Sequence, residues 1–448
     1  MKKRALDRLR QFLIDTGHPR LGAFLADRKA VIIVMFALML PVVAGAIGMG
    51  VEVAFWYKEQ HSVQASADAA AVAGANEAQE SSATSATIST VATAGAARNG
   101  FDTATNPPTV NNPPLSGSYT ADNDAVEVIL SQTVNMLFAS LVSSSGSVSI
   151  RARAVATSGI LGEACVLSLN TSGVGVEVSG SGDVEFDGCQ VAANSSNAAA
   201  LTVSGSGDLE VDCYSVVGGI SDNGGLNTDA GCDGQTNGAY IEDPYSDLTT
   251  PGYGACDQPG SYTVGNSSTE TFVHDADFET PYVVCGDLTV RGDLTLEPGL
   301  YIIEGDISVN ATGTLSGDGV TIILADGGQV DNFNGSADIS ISAPDAADGA
   351  GDWEGILFYQ DRDDAATCTG NNCNVINGNT GSTMEGTMYF PNQELRMNGG
   401  NDVSSPCLQI VAYQVSFSGN SDVTADNSAC VAAGVDPIEI PGPVKLVE

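Results

Sequence analysis

Ten cysteines are the residues best suited to covalent or metal chemistry, and all of them follow residue 51. An even number of exported thiols is typical of a disulfide framework in an oxidising compartment. Zinc binding is not predicted, because there is no paired CxxC and because His61 and His274 are isolated from the cysteines. The first three are spaced by 24 residues each, so two of them can join neighbouring repeats. The disulfide candidates are Cys165, Cys189, Cys213, Cys232, Cys256, Cys285, Cys368, Cys373, Cys407 and Cys430.

Aspartates beside glycine form the second candidate site. They recur in VSGSGDVEFD (178–187) and again in VSGSGDLEVD (203–212). Carboxylates on flexible turns suit Ca²⁺, but the G-G-x-G-x-D-x-apolar-x binding repeat is not matched. We therefore predict no cofactor and favour a solvated acidic face over structural Ca²⁺. The acidic segment 361–364 is similarly interpreted as a loop, with a site as the alternative. The calcium candidates in the repeats are Asp183, Asp187, Asp208 and Asp212.

Catalytic patterns are weak, and we predict that the chain is not an enzyme. There is no GxSxG, and a Ser-His-Asp triad would have to use His274. Only Arg291, Arg362 and Arg396 provide basic groups in the strand-rich region, and none has an obvious partner motif. Paired carboxylates for glycoside hydrolysis stay open among so many acids.

Three further motifs have structural explanations that we favour. The tripeptide 291–293 spells RGD but lies inside the repeat GDLTVRGDLTL. The segment 338–342 reads DISIS, a DxSxS pattern, but it alternates as a strand does. Trp353, Tyr359 and Tyr389 suit either a sugar-binding platform or core packing, and packing is favoured.

A membrane span is predicted over 30–51, where 22 residues carry no charge. Eight of the 16 Lys and Arg residues, with three acids, precede it; the other eight basic residues and 52 acids follow. The basic tail 1–29 should stay cytoplasmic and the acidic bulk should be exported. An uncleaved anchor is favoured, with cleavage near 65–67 as the alternative. So acidic a surface argues against nucleic-acid binding.

The exported part is predicted to be mainly β, with a helix and a small α+β module at 52–158. From residue 159 to 430, turns of the form Gly-Asp-apolar-x-apolar precede short strands, as in GDVEF and GDLTV. Repeated turn-and-strand units predict a β-solenoid, or parallel β-helix, with a polar insertion at 214–281. A β-sandwich is the structural alternative. The tail 431–448 is predicted to be extended.

The run 28–75 resembles the N-terminus of the TadE/TadG-like family of Tad/Flp pilus assembly proteins. The segments that carry the resemblance are FAL-x-LP (36–41) and ADAAAVAGA (67–75), and three segments between residues 355 and 423 also look similar. The residues that match are Phe36, Pro41, Asp68, Ala69, Ala70 and Gly74. The resemblance implies a bacterial inner-membrane protein with a periplasmic domain that helps to assemble Flp-type fimbriae. Ala30 and Met35 stand where prepilin-like relatives have the processed Gly and the Glu.

The combined prediction is a single-pass, non-catalytic component of pilus assembly, with a cytoplasmic N-terminus and a periplasmic bulk. Its partners would be the inner membrane and other assembly proteins or pilins, contacted through the span and the Ala-rich helix around Asp68. Gly45, Gly48 and Gly50 allow close helix approach. The alternative function is a periplasmic or surface carbohydrate-binding or adhesive solenoid.

Overall fold

The computed structural model describes residues 12, 28–79, 83–141, 146–232, 234–273, 278–363, 368, 373–377, 381–399, 403–420 and 422–448. Most of the predicted cytoplasmic tail 1–29 lies outside this part of the chain, as do His274, considered above for a triad, and Asp364 of the acidic segment. The chain forms two compact units, 1–158 with 444–448, and 159–443.

The first unit contains the long apolar helix and a small α+β module. Thr84 caps the second helix, since its side chain accepts a hydrogen bond from the Thr87 amide and the Thr87 hydroxyl accepts one from the Thr84 amide. The elements are α1 (Arg28–Ala78), α2 (Ser85–Arg98), β1 (Thr109–Asn111), β2 (Val126–Asn135), a 3₁₀ turn (Ala139–Leu141) and the first half of β3 (Ser147–Ser168).

An antiparallel hairpin of β2 and β3 supplies the sheet side of this unit, with Val126 opposite Ala156 and Asn135 opposite Ser147. The alternation predicted for these strands is confirmed. Val126, Val128 and Leu130 are fully buried against the helices. The hairpin and α2 therefore cover one side of the second half of α1.

The second unit is built from strands that, except for the last one in the chain, pair in parallel with strands of neighbouring coils. They are the second half of β3, β4 (Val176–Gly180), β5 (Val184–Ala193), β6 (Leu201–Val203), β7 (Leu209–Val216), β8 (Ile220–Asp222), β9 (Leu226–Thr228), β10 (Gln235–Thr236), β11 (Tyr262–Val264), β12 (Thr269–Phe272), β13 (Tyr282–Val284), β14 (Leu288–Val290), β15 (Asp293–Leu296), β16 (Gly299–Ile303), β17 (Ile307–Val309), β18 (Thr314–Gly317), β19 (Val320–Leu324), β20 (Val330–Phe333), β21 (Asp338–Ser342), β22 (Ile356–Gln360), β23 (Asn374–Asn377), β24 (Thr383–Gly399), β25 (Val403–Ser405), β26 (Leu408–Gly419), β27 (Val423–Asp426) and β28 (Ile438–Leu446).

These pairings create three parallel sheets, which are the three faces of a solenoid. The first face includes β13, β16, β19, β22 and β26; the second includes β14, β17, β20 and β23; the third includes β12, β15, β18 and β21. The predicted solenoid is confirmed. The β-sandwich alternative is wrong, because sandwich strands pair antiparallel within each sheet.

The chain enters this solenoid in the middle of the stack. The last residues of β3 pair with β5 on one side and with β26 on the other. From there the coils wind outward to β10, and a second series winds back from β11 to β26. The first and last coils of the unit are therefore neighbours.

A strap at residues 237–258 connects the two ends of the stack. Its contacts follow the first face coil by coil: Ile241 bonds to Asn194, Tyr245 to Gln409, Leu248 to Tyr359, Tyr253 to Glu304 and Asp257 to Val283. The segment 214–281, predicted as an insertion, thus contains β8–β12 as well as this crossing segment.

The solenoid has two apolar layers. One fills its interior, and the other lies outside the first face under the strap and includes Trp353, Tyr359 and Ile440. Strands of that face, such as β16, β19 and β22, are buried at every position. They therefore have continuous apolar sequences rather than alternating ones.

Candidate functional site

The apolar first half of α1 is the candidate membrane anchor. From Met35 onward the helix is long and apolar enough to cross a membrane, and only 11% of its most apolar window is buried. Phe36 is 68% exposed, and Pro41 lies inside the continuous helix. These residues of the family motif thus belong to a surface that contacts no other part of the described chain to any large extent, as a lipid-facing helix requires.

The Ala-rich second half of α1 forms the packing surface of the module. Ala67, Ala70, Ala71 and Ala75 are fully buried, and a Cβ built at Gly74 would lie 2.9 Å from the Val126 side chain. Small residues at these positions let α2 and β2 approach the helix axis closely. The chain's own module covers these four alanines, and packing of this helix on a pilin-like neighbour through its half-buried face at Asp68 stays a prediction.

Polar residues of α1 attach the edge of β3 opposite β2 to the helix. The side-chain amides of Gln60 and Gln64 donate to the carbonyls of Arg151 and Arg153, each at 3.0 Å. Asp68 accepts a second hydrogen bond from Gln64 at 2.7 Å. The acidic residue of the family motif therefore orients a glutamine that holds the sheet.

The calcium candidates lie at turns where they bond to the backbone of the next coil. The Asp208 amide donates to Asp183 Oδ1 at 3.1 Å, and the Asp183 amide donates to Asp422 Oδ1 at 2.8 Å. A Cβ at Gly207 would stand 2.0 Å from the Gly182 carbonyl oxygen. The recurring Gly-Asp pair is thus explained by coil stacking: Gly permits the close approach, and Asp accepts the exposed amide.

The other two candidates lie one turn further along. Asp212 accepts the Gly188 amide at 3.0 Å. Burial, together with the charges of Asp229 and Asp187, raises the pKa of Asp212. Within the described residues no group of three or more His, Cys, Asp or Glu side chains is arranged to hold a metal ion.

A polar cluster under the strap was not found from the sequence. Asp243 of the strap forms an ion pair with Arg362 and accepts the Tyr389 hydroxyl at 2.9 Å. The Arg362 guanidinium lies 5.9 Å from the centre of the Tyr389 ring, which stacks on Tyr359 at 5.3 Å. Arg362 and Asp243 are 119 residues apart, so no local pattern joins them.

The aromatic residues considered as a sugar platform are buried. Trp353, Tyr359 and Tyr389 have exposed fractions of 7%, 1% and 0%. Burial raises the pKa of Tyr245 to about 12 and that of Tyr359 to about 12. These rings therefore stabilise the layer between the strap and the first face.

The other sequence motifs occupy ordinary places in the solenoid. The DxSxS segment is strand β21, and its residues pair with β18. The RGD tripeptide includes the turn before β15, where a Cβ at Gly292 would meet the Gly265 carbonyl oxygen at 2.3 Å. Asp361 accepts a hydrogen bond from Thr250 of the strap.

All ten cysteines are paired, and their pairing follows the coils. Cys165–Cys189 joins adjacent coils, as expected for two of the first three cysteines. Cys256–Cys285 attaches the end of the strap to β13 and its following turn. The remaining disulfides are Cys213–Cys232, Cys368–Cys373 and Cys407–Cys430.

Comparison with known proteins gives a match to one segment of the chain, the long helix α1. No curated protein and no solved structure matches the chain. The family resemblance noted from the sequence is confirmed for the long helix: residues 30–77 match the family model Tad, described as "Putative Flp pilus-assembly TadE/G-like".

Proposed function

We propose that this chain is a membrane-anchored, non-catalytic component of Tad/Flp-type pilus assembly. The observation that carries the proposal is the match of residues 30–77 to the Tad family model. That segment is almost the whole of α1, which combines the apolar anchor with the surface that packs the α+β module. The role of the segment would be to hold the exported part at the membrane.

The proposed orientation places the N-terminus in the cytoplasm and the solenoid in the periplasm. Five disulfides support an oxidising compartment for the second unit. The basic residues before the span and the acidic chain after it favour the same direction of insertion.

The proposed role needs no catalysis and no cofactor. The aspartates that recur in the repeats accept backbone amides at the turns, as Asp287 does from Asp306 at 3.1 Å. In the cluster under the strap, Asp243 pairs with Arg362 and accepts the Tyr389 hydroxyl, so both side chains attach the strap to the first face. These groups are explained as structural supports of a rigid exported body.

The test is complementation of pilus formation in a strain that lacks this chain. One version exports residues 52–448 behind a cleavable signal, and a matched control carries an unrelated 22-residue apolar helix in place of 30–51. We expect the full chain to restore pili and the soluble version to fail although it accumulates outside the cytoplasm. Pili restored by the soluble version would contradict an assembly role exerted through the anchor.

A groove on the third face favours carbohydrate binding as a second candidate function. It encloses about 580 Å³ and is crossed by hydroxyls that stand in register on neighbouring strands. Glu385 lies beside it, and burial with the charge of Asp318 raises the pKa of that carboxyl. Binding of the soluble part to a glycan array would favour this function. The hydroxyl row is Thr295, Ser316, Ser340 and Thr383.

A further inference from the structure

The tip of the β2–β3 hairpin exposes large apolar side chains. We call residues 136–140 the apolar loop; Leu137 is 70% exposed and Phe138 is 44% exposed. Neighbouring exposed apolar side chains form a patch of the kind that marks contacts with a partner protein or a membrane. The position of the loop in the first unit identifies what would cover them.

The apolar loop is fixed to α1 by one buried carboxylate. Glu52 is 3% exposed, and it accepts the amides of Leu137 at 2.6 Å, Phe138 at 2.8 Å and Ala139 at 2.5 Å. The Phe138 ring lies over Gly48, where a Cβ would approach it to 2.8 Å. A carboxylate with three amide donors and a glycine under the ring hold the loop at one level of the helix.

The hairpin runs along α1 with its tip toward the apolar half. Its open end is at Gly74, which touches Val126, and the carbonyl of Arg153 bonds to Gln64 farther down. The loop then reaches Gly48, about 39 Å from Gly74 at 1.5 Å per residue. The first unit thus brings its own loop to the end of the predicted span.

The contact between Phe138 and Gly48 lies within the uncharged segment of α1. That segment, 30–51, is about 33 Å long as a helix, close to the thickness of the hydrocarbon layer. Gly48 is therefore about 5 Å inside its outer end. Phe55, Trp56 and Tyr57 follow within two turns, which is where aromatic residues gather at a membrane surface.

We propose that the apolar loop enters the outer edge of the bilayer beside α1, with Leu137 and Phe138 in contact with lipid chains. The loop is then a second membrane contact that fixes the rotation and depth of the module on its anchor. This inference rests on the proposed membrane anchor, because the depth of the loop is measured from the span. Glu52 is tolerable at that depth because three amides satisfy its charge.

The experiment places an environment-sensitive fluorophore at Leu137→Cys in the full chain, reconstituted in phosphatidylcholine and phosphatidylglycerol vesicles. All ten native cysteines are in disulfides, so the new thiol is selectively labelled. Quenching by shallow spin-labelled lipid and by aqueous iodide is compared. Val42→Cys reports the span, and Leu115→Cys is the matched control, an apolar residue of the same unit that is 77% exposed. Leu115 lies near Glu127, about 26 Å from the hairpin tip along β2.

We expect the label at 137 to be quenched several-fold more by spin-labelled lipid than the label at 115, and to be shielded from iodide. A label at 137 that iodide reaches freely, beside a lipid-quenched label at 42, overturns the loop proposal and leaves the anchor intact. If neither 42 nor 137 is quenched by lipid, the anchor and the loop proposal fail together. Shielding from iodide without lipid quenching at 137 indicates a protein neighbour and also overturns the proposal.

A second variant tests the docking itself. Glu52→Gln should restore iodide access to the label at 137, because an amide cannot accept three backbone amides as a carboxylate does. Glu59→Gln removes an equal charge on the same helix without a contact to the loop, and should leave both quenching signals unchanged. An unchanged signal in Glu52→Gln would contradict the docking role of Glu52.

Discussion

A buried glutamate stabilises the sheet side of the first unit. Glu127 accepts hydrogen bonds from Arg153 Nε at 2.6 Å and from Asn111 at 2.7 Å, and its own side chain is 1% exposed. Burial acts to raise the pKa of Glu127, but the hydrogen bonds from Arg153, Asn111 and Ser116 hold it below the ordinary value of 4.5. Arg153 also bonds to Glu448, so the network joins β2, β3 and the segment at 444–448.

We expect Glu127→Gln to destabilise the hairpin by about 1–2 kcal/mol at pH 7, because charge-assisted bonds are lost while the partly exposed Arg153 keeps Glu448. A carboxyl with a lowered folded pKa adds stability that is complete above its ordinary pKa and disappears as the pH falls through the lowered value. The difference between the two proteins should therefore shrink below about pH 4.5. Amide hydrogen exchange of β2 and β3, corrected for intrinsic rates, measures it. A difference that stays constant down to pH 3 would contradict this assignment.

The tyrosines under the strap predict the opposite response at high pH. Burial raises the pKa of Tyr245 to about 12 and of Tyr359 to about 12, and it raises the pKa of Tyr389 as well. A phenol whose folded pKa is raised keeps its full contribution below the ordinary value of 10 and loses it as the pH rises through the folded value. We expect strap amides to lose protection between about pH 10 and pH 12, in step with tyrosinate absorbance. The control is Tyr57→Phe at a position of α1 that is 67% exposed, which should leave strap exchange unchanged.

At the scale of residues, the sequence predicted features that depend on local patterns, but it did not predict contacts between residues far apart in the chain. The Gly-Asp turns were visible because the same backbone problem recurs in each coil, and the same two residue types solve it at Gly207 and Asp208. The Asp243–Arg362 ion pair could not be predicted from the sequence, because the strap brings together positions that are 119 residues apart. The docking of the apolar loop on Glu52 was missed for the same reason, at a separation of 85 residues.

Among the elements, the strap depends on its disulfide. Cys256–Cys285 closes a loop of 29 residues, which in the chain-entropy estimate contributes roughly 3–4 kcal/mol. Replacing both cysteines with alanine should therefore raise hydrogen exchange in residues 250–260 and in β13. The matched control is the Cys368–Cys373 pair, whose 5-residue loop contributes only about 2 kcal/mol by the same estimate. Equal loss of strap protection in both double variants would show that the disulfide does not hold the strap.

The strands also differ in how far their apolar pattern predicts which side chains face the interior of the solenoid. Strands of the third face alternate, as β15 does, because one side faces solvent, and these were predicted correctly. Strands of the first face have no alternation because the strap covers them, so their two buried sides could not be distinguished. The segment 214–281 looked like an insertion because its strands are short, with only two or three residues in β8 and β10.

The whole solenoid differs from a simple stack in having its chain ends in the middle. We call the two series of coils, from β3 to β10 and from β11 to β27, the two arms. They meet where β26 pairs with β3 and β4, and the strap returns the chain from one end of the stack to the other. Seven coil spacings of about 4.8 Å, or ~34 Å, separate β5 from β13, a distance that the 17 residues from Ile241 to Asp257 can span. The repeats predicted coils, but repeat periodicity has no information about their spatial order. That order is determined by the strap contacts.

In a repeat protein each coil contacts only its neighbours. A destabilising substitution should therefore raise hydrogen exchange in the coils that are adjacent in space, not in those adjacent in sequence. Phe417 lies in the last coil, pairs with Val178 of the first, and its ring is 6.0 Å from that of Phe186. Phe417→Ala should cost about 3–5 kcal/mol and raise hydrogen exchange in both arms, in 176–216 and in 383–399. Phe272→Ala provides the control, because Phe272 is equally buried but lies in an end coil, stacked on Tyr282.

The control variant should raise exchange only near its own end, in 262–303, although its truncation removes the same ring. If Phe417→Ala leaves residues 176–216 protected while 383–399 open, the two arms are not packed as neighbours and the proposed order of coils is wrong. If both variants open the entire solenoid equally, the unit unfolds as a single cooperative block. Opening of both arms by Phe417→Ala alone would follow from the position of β26 between them, with β3 and β4 on one side and β24 on the other.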